Sequence, residues 1–91
     1  MTEPLSIHVI ISGQVQGVWY RAWTQQTATG LGLSGWVKNR SDGAVEAVFS
    51  GPKNVVSKML AACRQGPPAA RVDGMEEIIT DTPAEPGFHK R

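Results

Sequence analysis

LSIHVIISGQVQGVWYR, residues 5–21, changes its periodicity across a pair of glycines. In the first half, Leu5, Ile7, Val9 and Ile11 recur at every second position, which is the pattern of a half-buried strand. From Tyr20 onward the spacing is helical, because Tyr20, Thr24, Thr27, Ala28 and Leu31 fall at three- and four-residue steps, with Gly30 and Gly32 as stop signals near Leu31. The segment between, GQVQGVWYR, therefore joins a strand to the start of a helix. Helix starts offer unpaired N–H groups and the positive end of the helix dipole, and glycine lets the backbone close around a small oxyanion. Arg21 adds a planar cation that can hold two oxygens of one group.

Outward from this segment, LSGWVKN and AVEAVFSG flank RSDG, and Asp42-Gly43 supplies the positive-φ position of a tight turn, so strands two and three form a hairpin. Gly51-Pro52 ends the hairpin, and Val56, Met59, Leu60 and Cys63 form the apolar stripe of a second helix that stops at Gly66-Pro67-Pro68. A fourth strand follows in AARVDGMEEIIT, with Val72 and Ile78 or Ile79 as its expected inward positions and an interruption at Asp73-Gly74. The tail, residues 83–91, reads as a loop with at most a short strand around Phe88. The order βαββαβ predicts an α+β fold of the ferredoxin-like split βαβ type, with a mostly antiparallel sheet and both helices packed on one face. Without repeats, low-complexity runs or a linker, residues 1–91 read as a single domain.

Composition narrows the function. A domain of 91 residues hides roughly 60–65% of the surface of its unfolded chain, so its core is thin. Nine Lys plus Arg against eight Asp plus Glu give a net charge of +1, too little to gather a nucleic acid. The lone Cys63 cannot form an internal disulfide, and the N-terminal residues lack the pattern of a secretory signal, so a cytoplasmic location is expected. No apolar run approaches the roughly 20 residues of a membrane helix, so no membrane partner is expected.

The loop matches neither GxxxxGK[ST] nor GxGxxG, and Cys63 sits on the apolar stripe of the second helix rather than in the loop. On composition alone, a Gly-x-x-x-Gly turn is more often a structural bend than an anion site, and Asn39 is a common turn-initiating residue before RSDG. His8 alternates away from the apolar face of the first strand. Trp19, Trp23 and Trp36 read as packing residues, and Glu46, Glu76 and Glu77 as solvated charges. HExxH, EF-hand and Cys/His clusters do not occur, so neither a metal nor another cofactor is expected.

IISGQVQGVWYR and GWVKNRSDGAVEAVFSG resemble the two signature segments of the acylphosphatase family. AxxLGLxGWV between them and GPPAARV after the second helix are similar to the family as well, so the resemblance spans about residues 7–72. It implies metal-free hydrolysis of the carboxyl–phosphate bond of a small-molecule acyl phosphate. Arg21 takes the arginine position that holds the phosphate, together with backbone N–H groups of Val15, Gln16, Gly17, Val18, Trp19 and Tyr20. Asn39 takes the position that orients the attacking water. Tyr20 stands where the family usually has Phe or Met, and the tail departs from the family's aromatic-x-aliphatic ending. A monomer is expected. The rival reading is a ferredoxin-like binding module for a small anion or RNA, but AVEAVFSG lacks the aromatic pair of an RNP1 strand. A carbamoyl-phosphate-handling part of a larger machine is a third reading.

Overall fold

The structure, a computed structural model, describes residues 3–83 and 85–91. The chain runs β1 (Pro4–Gln14), α1 (Tyr20–Gly30), β2 (Ser34–Asn39), β3 (Val45–Pro52), α2 (Lys53–Gln65), β4 (Arg71–Ile79) and β5 (Phe88–Lys90). The sheet order is β4-β1-β3-β2-β5. β1 pairs antiparallel with β3 and β4, β2 pairs antiparallel with β3, and only β2 and β5 are parallel. Each helix thus connects two parallel strands that have a third strand inserted between them, which is the split βαβ arrangement expected.

Alternation along the strands fills the layer under the helices. Ile7, Val9 and Ile11 of β1, Val37 of β2, and Val45, Ala47 and Phe49 of β3 are buried there against Tyr20 and Ala28 of α1 and Val56, Met59 and Cys63 of α2. Phe88 joins them by stacking on Phe49, with ring centroids 5.4 Å apart and planes at 12°. The hairpin turns at Gly43, whose φ is 94°, and Asp42 accepts a hydrogen bond from the Ala44 N–H at 3.1 Å. That N–H is the main reason the Asp42 carboxyl lies below the usual carboxylate range, the Arg40 guanidinium adding to it.

The interruption in β4 is a bulge. Ser12 pairs with Gly74 and Gly13 with Val72, which leaves Asp73 as the extra residue. The extra residue shifts the phase of the strand, so Val72 shares its side of the sheet with Met75, Glu77 and Ile79, and both Val72 and Met75 pack against the core. Neither Ile78 nor Ile79 is buried as the sequence pattern suggests: Ile79 lies on the helix side but is 76% exposed, and Ile78 lies on the other face and is 59% exposed. β4 is an edge strand, and α2 meets its outer part through the Arg64–Glu77 ion pair at 2.8 Å rather than through apolar packing.

Among the described residues, the other face of the sheet carries no helix. His8 lies there, as its alternation implies, hydrogen-bonded to Glu46 at 2.6 Å and edge-on to Trp36 with centroids 6.1 Å apart. Glu46 is not the solvated charge expected. It is largely covered and lies 3.7 Å from both Lys38 and Arg40. Burial acts to raise its pKa, but the His8 hydrogen bond and the charges of Lys38, His8 and Arg40 outweigh burial and leave it lowered. β4 and β5 lie on opposite edges, so the segment between them must cross the sheet, and it touches this face where Thr82 meets Ser6 at 3.1 Å.

Candidate active site

β1 ends beside β4, and the chain then folds back through residues 15–19 to start α1. Gly17 makes the reversal with φ 75°, and Trp19 continues it in the left-handed region with φ 69°. A side chain branching from a left-handed backbone costs about 1–2 kcal/mol, so Trp19 marks a strained helix entry. Among the described residues, no side chain caps α1. The first intrahelical bond runs from the Trp23 N–H to the Trp19 carbonyl at 3.0 Å, so the N–H groups before it have no helical partner.

These residues border a cleft of about 170 Å³ lined by Val15, Gly17, Trp19, Tyr20, Arg21, Ala22, Asn39 and Lys90. Arg21 lies in the first turn of α1, where a cation opposes the helix dipole at a cost of about 0.3–1 kcal/mol, and no acidic residue offsets it in that turn. Its Nη1 donates to the main-chain oxygen of Arg91 at 2.8 Å, which ties the end of β5 to the cleft. Asn39 is the last residue of β2 and is exposed at the same cleft. Trp19 is not a packing residue, since it is 58% exposed at the cleft, whereas Trp23 packs on the core beside Tyr20.

Of the six loop residues singled out in the sequence, Val15, Gly17, Trp19 and Tyr20 line the cleft, and Gln16 and Val18 do not. Val18 packs against the core. Gln16 does something the sequence did not announce: its amide donates to the carbonyls of Arg40 and Ala44 at 2.8 and 2.9 Å. The loop is thereby pinned to the β2–β3 turn, so Arg21 and Asn39 are held in a fixed relation by a side chain that faces away from the cleft. No spacing rule signals such a contact, because it depends on the hairpin arriving beside the loop.

The Tyr20 ring points into the core, and its hydroxyl donates to the Cys63 carbonyl at 2.7 Å. That carbonyl belongs to the last turn of α2, and the residue four positions on is Pro67, which has no N–H to offer. The phenol therefore closes an otherwise orphaned carbonyl, and the Tyr20 hydroxyl is itself satisfied. Burial is the main reason the Tyr20 pKa rises far above its ordinary value, and burial pushes the Cys63 thiol up to about 12. Neither group is ionised near neutral pH, and Cys63 is a packing residue, as its place on the helical stripe suggests.

Among the described residues no three His, Cys, Asp or Glu side chains converge in a way that could hold a metal ion, and no helix is long and apolar enough to cross a membrane.

Fold and cleft together place the chain among ferredoxin-like sandwiches with a glycine-bearing loop at the start of the first helix. The acylphosphatase family model matches residues 7–90. The acylphosphatase of Rhodospirillum rubrum is 59% identical over 83 residues, covering 91% of this chain and 91% of that protein. Among solved structures, an acylphosphatase from Coxiella burnetii superposes with a TM-score of 0.92 at 35% identity, covering 97% of this chain and 93% of that one. The acylphosphatase from Bacillus subtilis gives 0.90 at 33% identity, with 96% and 98% covered. The chain belongs to the acylphosphatase family and shares its class of activity, that of a hydrolase.

Proposed function

We propose that the chain hydrolyses the carboxyl–phosphate bond of small acyl phosphates without a metal ion, with Arg21 and loop N–H groups holding the phosphate and Asn39 orienting the water. The observation that carries this reading is the meeting of Arg21, Asn39 and an uncapped helix start at one cleft. An arginine that opposes the helix dipole becomes favourable once a dianion sits between them, and fixed N–H dipoles need no rearrangement as charge moves in the reaction.

The water oxygen forms a bond to phosphorus while the bond from phosphorus to the carboxylate oxygen breaks. The products are inorganic phosphate and the free carboxylate. Such a leaving group is the conjugate base of an acid with a pKa near about 4, so it departs at neutral pH without a proton donor. The transition state of phosphoryl transfer is loose, which makes positioning and charge balance the protein's main tasks. Asn39 is uncharged and cannot act as a strong base, but its amide both accepts and donates and so can fix a water in line with the breaking bond. The reading also includes a monomeric single domain over residues 1–91 that acts in the cytoplasm and binds no nucleic acid, supported by the near-zero net charge and the lone buried cysteine.

The test is hydrolysis of benzoyl phosphate by the purified protein in excess chelator, with Arg21→Ala run alongside to exclude a contaminating phosphatase. Full turnover by the wild type and its loss in the variant are expected. Turnover that appears only after divalent ions are added contradicts the reading.

A further inference from the structure

The cleft contains a second cation that the chemistry above does not use. β5 runs parallel to β2 with Lys90 opposite Val37, and the Arg91 N–H donates to the Val37 carbonyl at 2.8 Å. Two residues before Lys90, Phe88 points into the core beneath the helices, so alternation turns Lys90 to the same side, one step nearer the end of the sheet that carries Asn39. Lys90 thus lines the cleft with Arg21 and Asn39.

Among the described residues no Asp or Glu lines this cleft, and neither Lys90 nor Arg21 pairs with an acidic side chain. Other cations near the sheet are engaged elsewhere: Lys38 and Arg40 with Glu46 on the opposite face, Arg71 with Asp73, and Arg91 over the Trp36 ring. Arg21 already donates to the Arg91 main-chain oxygen at 2.8 Å, whereas Lys90 has no side-chain partner among the described residues, and a cation left over beside the arginine suits a ligand with more negative charge than a phosphate alone carries. Arg21 belongs to the helix start, where the first N–H groups have no helical partner. Lys90 comes from the sheet edge instead, on a flexible stem suited to a charge at some distance from the phosphate.

We propose that Lys90 is a specificity residue that pairs with a second anionic group on the acyl part of the substrate. The favoured substrates are then monophosphates of dicarboxylic acids, whose free carboxylate meets the Lys90 ammonium while phosphate sits at Arg21. The inference rests on the hydrolysis reading above.

Two rigid substrates of similar shape provide the test, 4-carboxybenzoyl phosphate and its uncharged counterpart 4-methylbenzoyl phosphate, both assayed in chelator at low salt. An ion pair at a half-open site is worth about a threefold to fivefold difference. The wild type should therefore favour the carboxylated substrate by about that factor in kcat/KM, chiefly through KM, with the preference fading as salt rises. Lys90→Met should bring the two substrates together by weakening the carboxylated one, and Lys90→Arg should keep the preference. Equal kcat/KM for the two substrates in the wild type overturns the proposal, as does a preference that survives in Lys90→Met. A Lys90→Met variant in which both substrates fall by the same factor also overturns it, because that result gives Lys90 to the phosphate. Absence of chelator-resistant turnover of either substrate by the wild type is a different failure, that of the hydrolysis reading itself.

Discussion

Replacing Tyr20 with Phe removes one oxygen and tests how the two helices are joined beneath the cleft. The hydroxyl donates to the Cys63 carbonyl at 2.7 Å in a fully buried setting, and Pro67 cannot take over as donor. The ring itself stays, so packing against Trp23 and the core is kept. What is lost is a buried hydrogen bond, and what remains is an unsatisfied carbonyl whose desolvation costs about 1–3 kcal/mol. Taking the middle of that range, Tyr20→Phe should destabilise by about 2 kcal/mol, which for a domain of this size lowers Tm by roughly 10 °C. Urea unfolding is the assay: the midpoint should fall while the slope with denaturant stays constant, because the surface exposed on unfolding is unchanged. A midpoint equal to that of the wild type would refute the reasoning and mean that water or a rearranged α2 end satisfies the carbonyl.

Alkaline titration should reveal the same buried pair. Burial pushes Cys63 from its ordinary 9.0 up to about 12 and raises Tyr20 as well, so above about pH 9 the unfolded chain releases protons that the folded chain retains. The folded state then binds more protons, and stability should be level below pH 9 and fall above it by about 1.4 kcal/mol per pH unit for each group. Cys63→Ala should flatten the onset between pH 9 and 10, as read from urea midpoints across pH; an unchanged onset would contradict the assignment. Gly35→Ala tests the sheet: Gly35 has φ 136°, and an added Cβ would run into the Val48 carbonyl oxygen on β3. A loss of about 3 kcal/mol is expected from strain and overpacking together, measured by thermal unfolding, and a variant as stable as wild type would show that the strand pairing differs.

The core was legible in the sequence wherever one local period decided it. Ile7, Val9 and Ile11 alternate into the core as read, and the stripe of Val56, Met59 and Cys63 is buried along α2. Asp42-Gly43 turns the hairpin because only a positive φ fits there. The misreadings lie where distant segments meet. A single extra residue at Asp73 shifts β4 by one step, and an edge strand beyond the footprint of α2 leaves Ile78 and Ile79 exposed. Glu46 reads as solvated until the sheet sets it beside His8, Lys38 and Arg40. At the cleft, the glycine loop and Arg21 announced themselves, and Asn39 did so only through the resemblance. Gln16 as a tether and Lys90 as a wall could not be read, because one depends on the hairpin reaching the loop and the other on a three-residue strand pairing in parallel with β2.

Binding of inorganic phosphate, measured calorimetrically in chelator, tests the central claim most directly. The wild type and Asn39→Ala should bind with similar affinity, Asn39→Ala losing kcat alone, whereas Arg21→Ala should lose both binding and turnover. Phosphate bound by Arg21→Ala as tightly as by the wild type would contradict the account, since the anion would then be held by something other than the guanidinium at the start of the first helix.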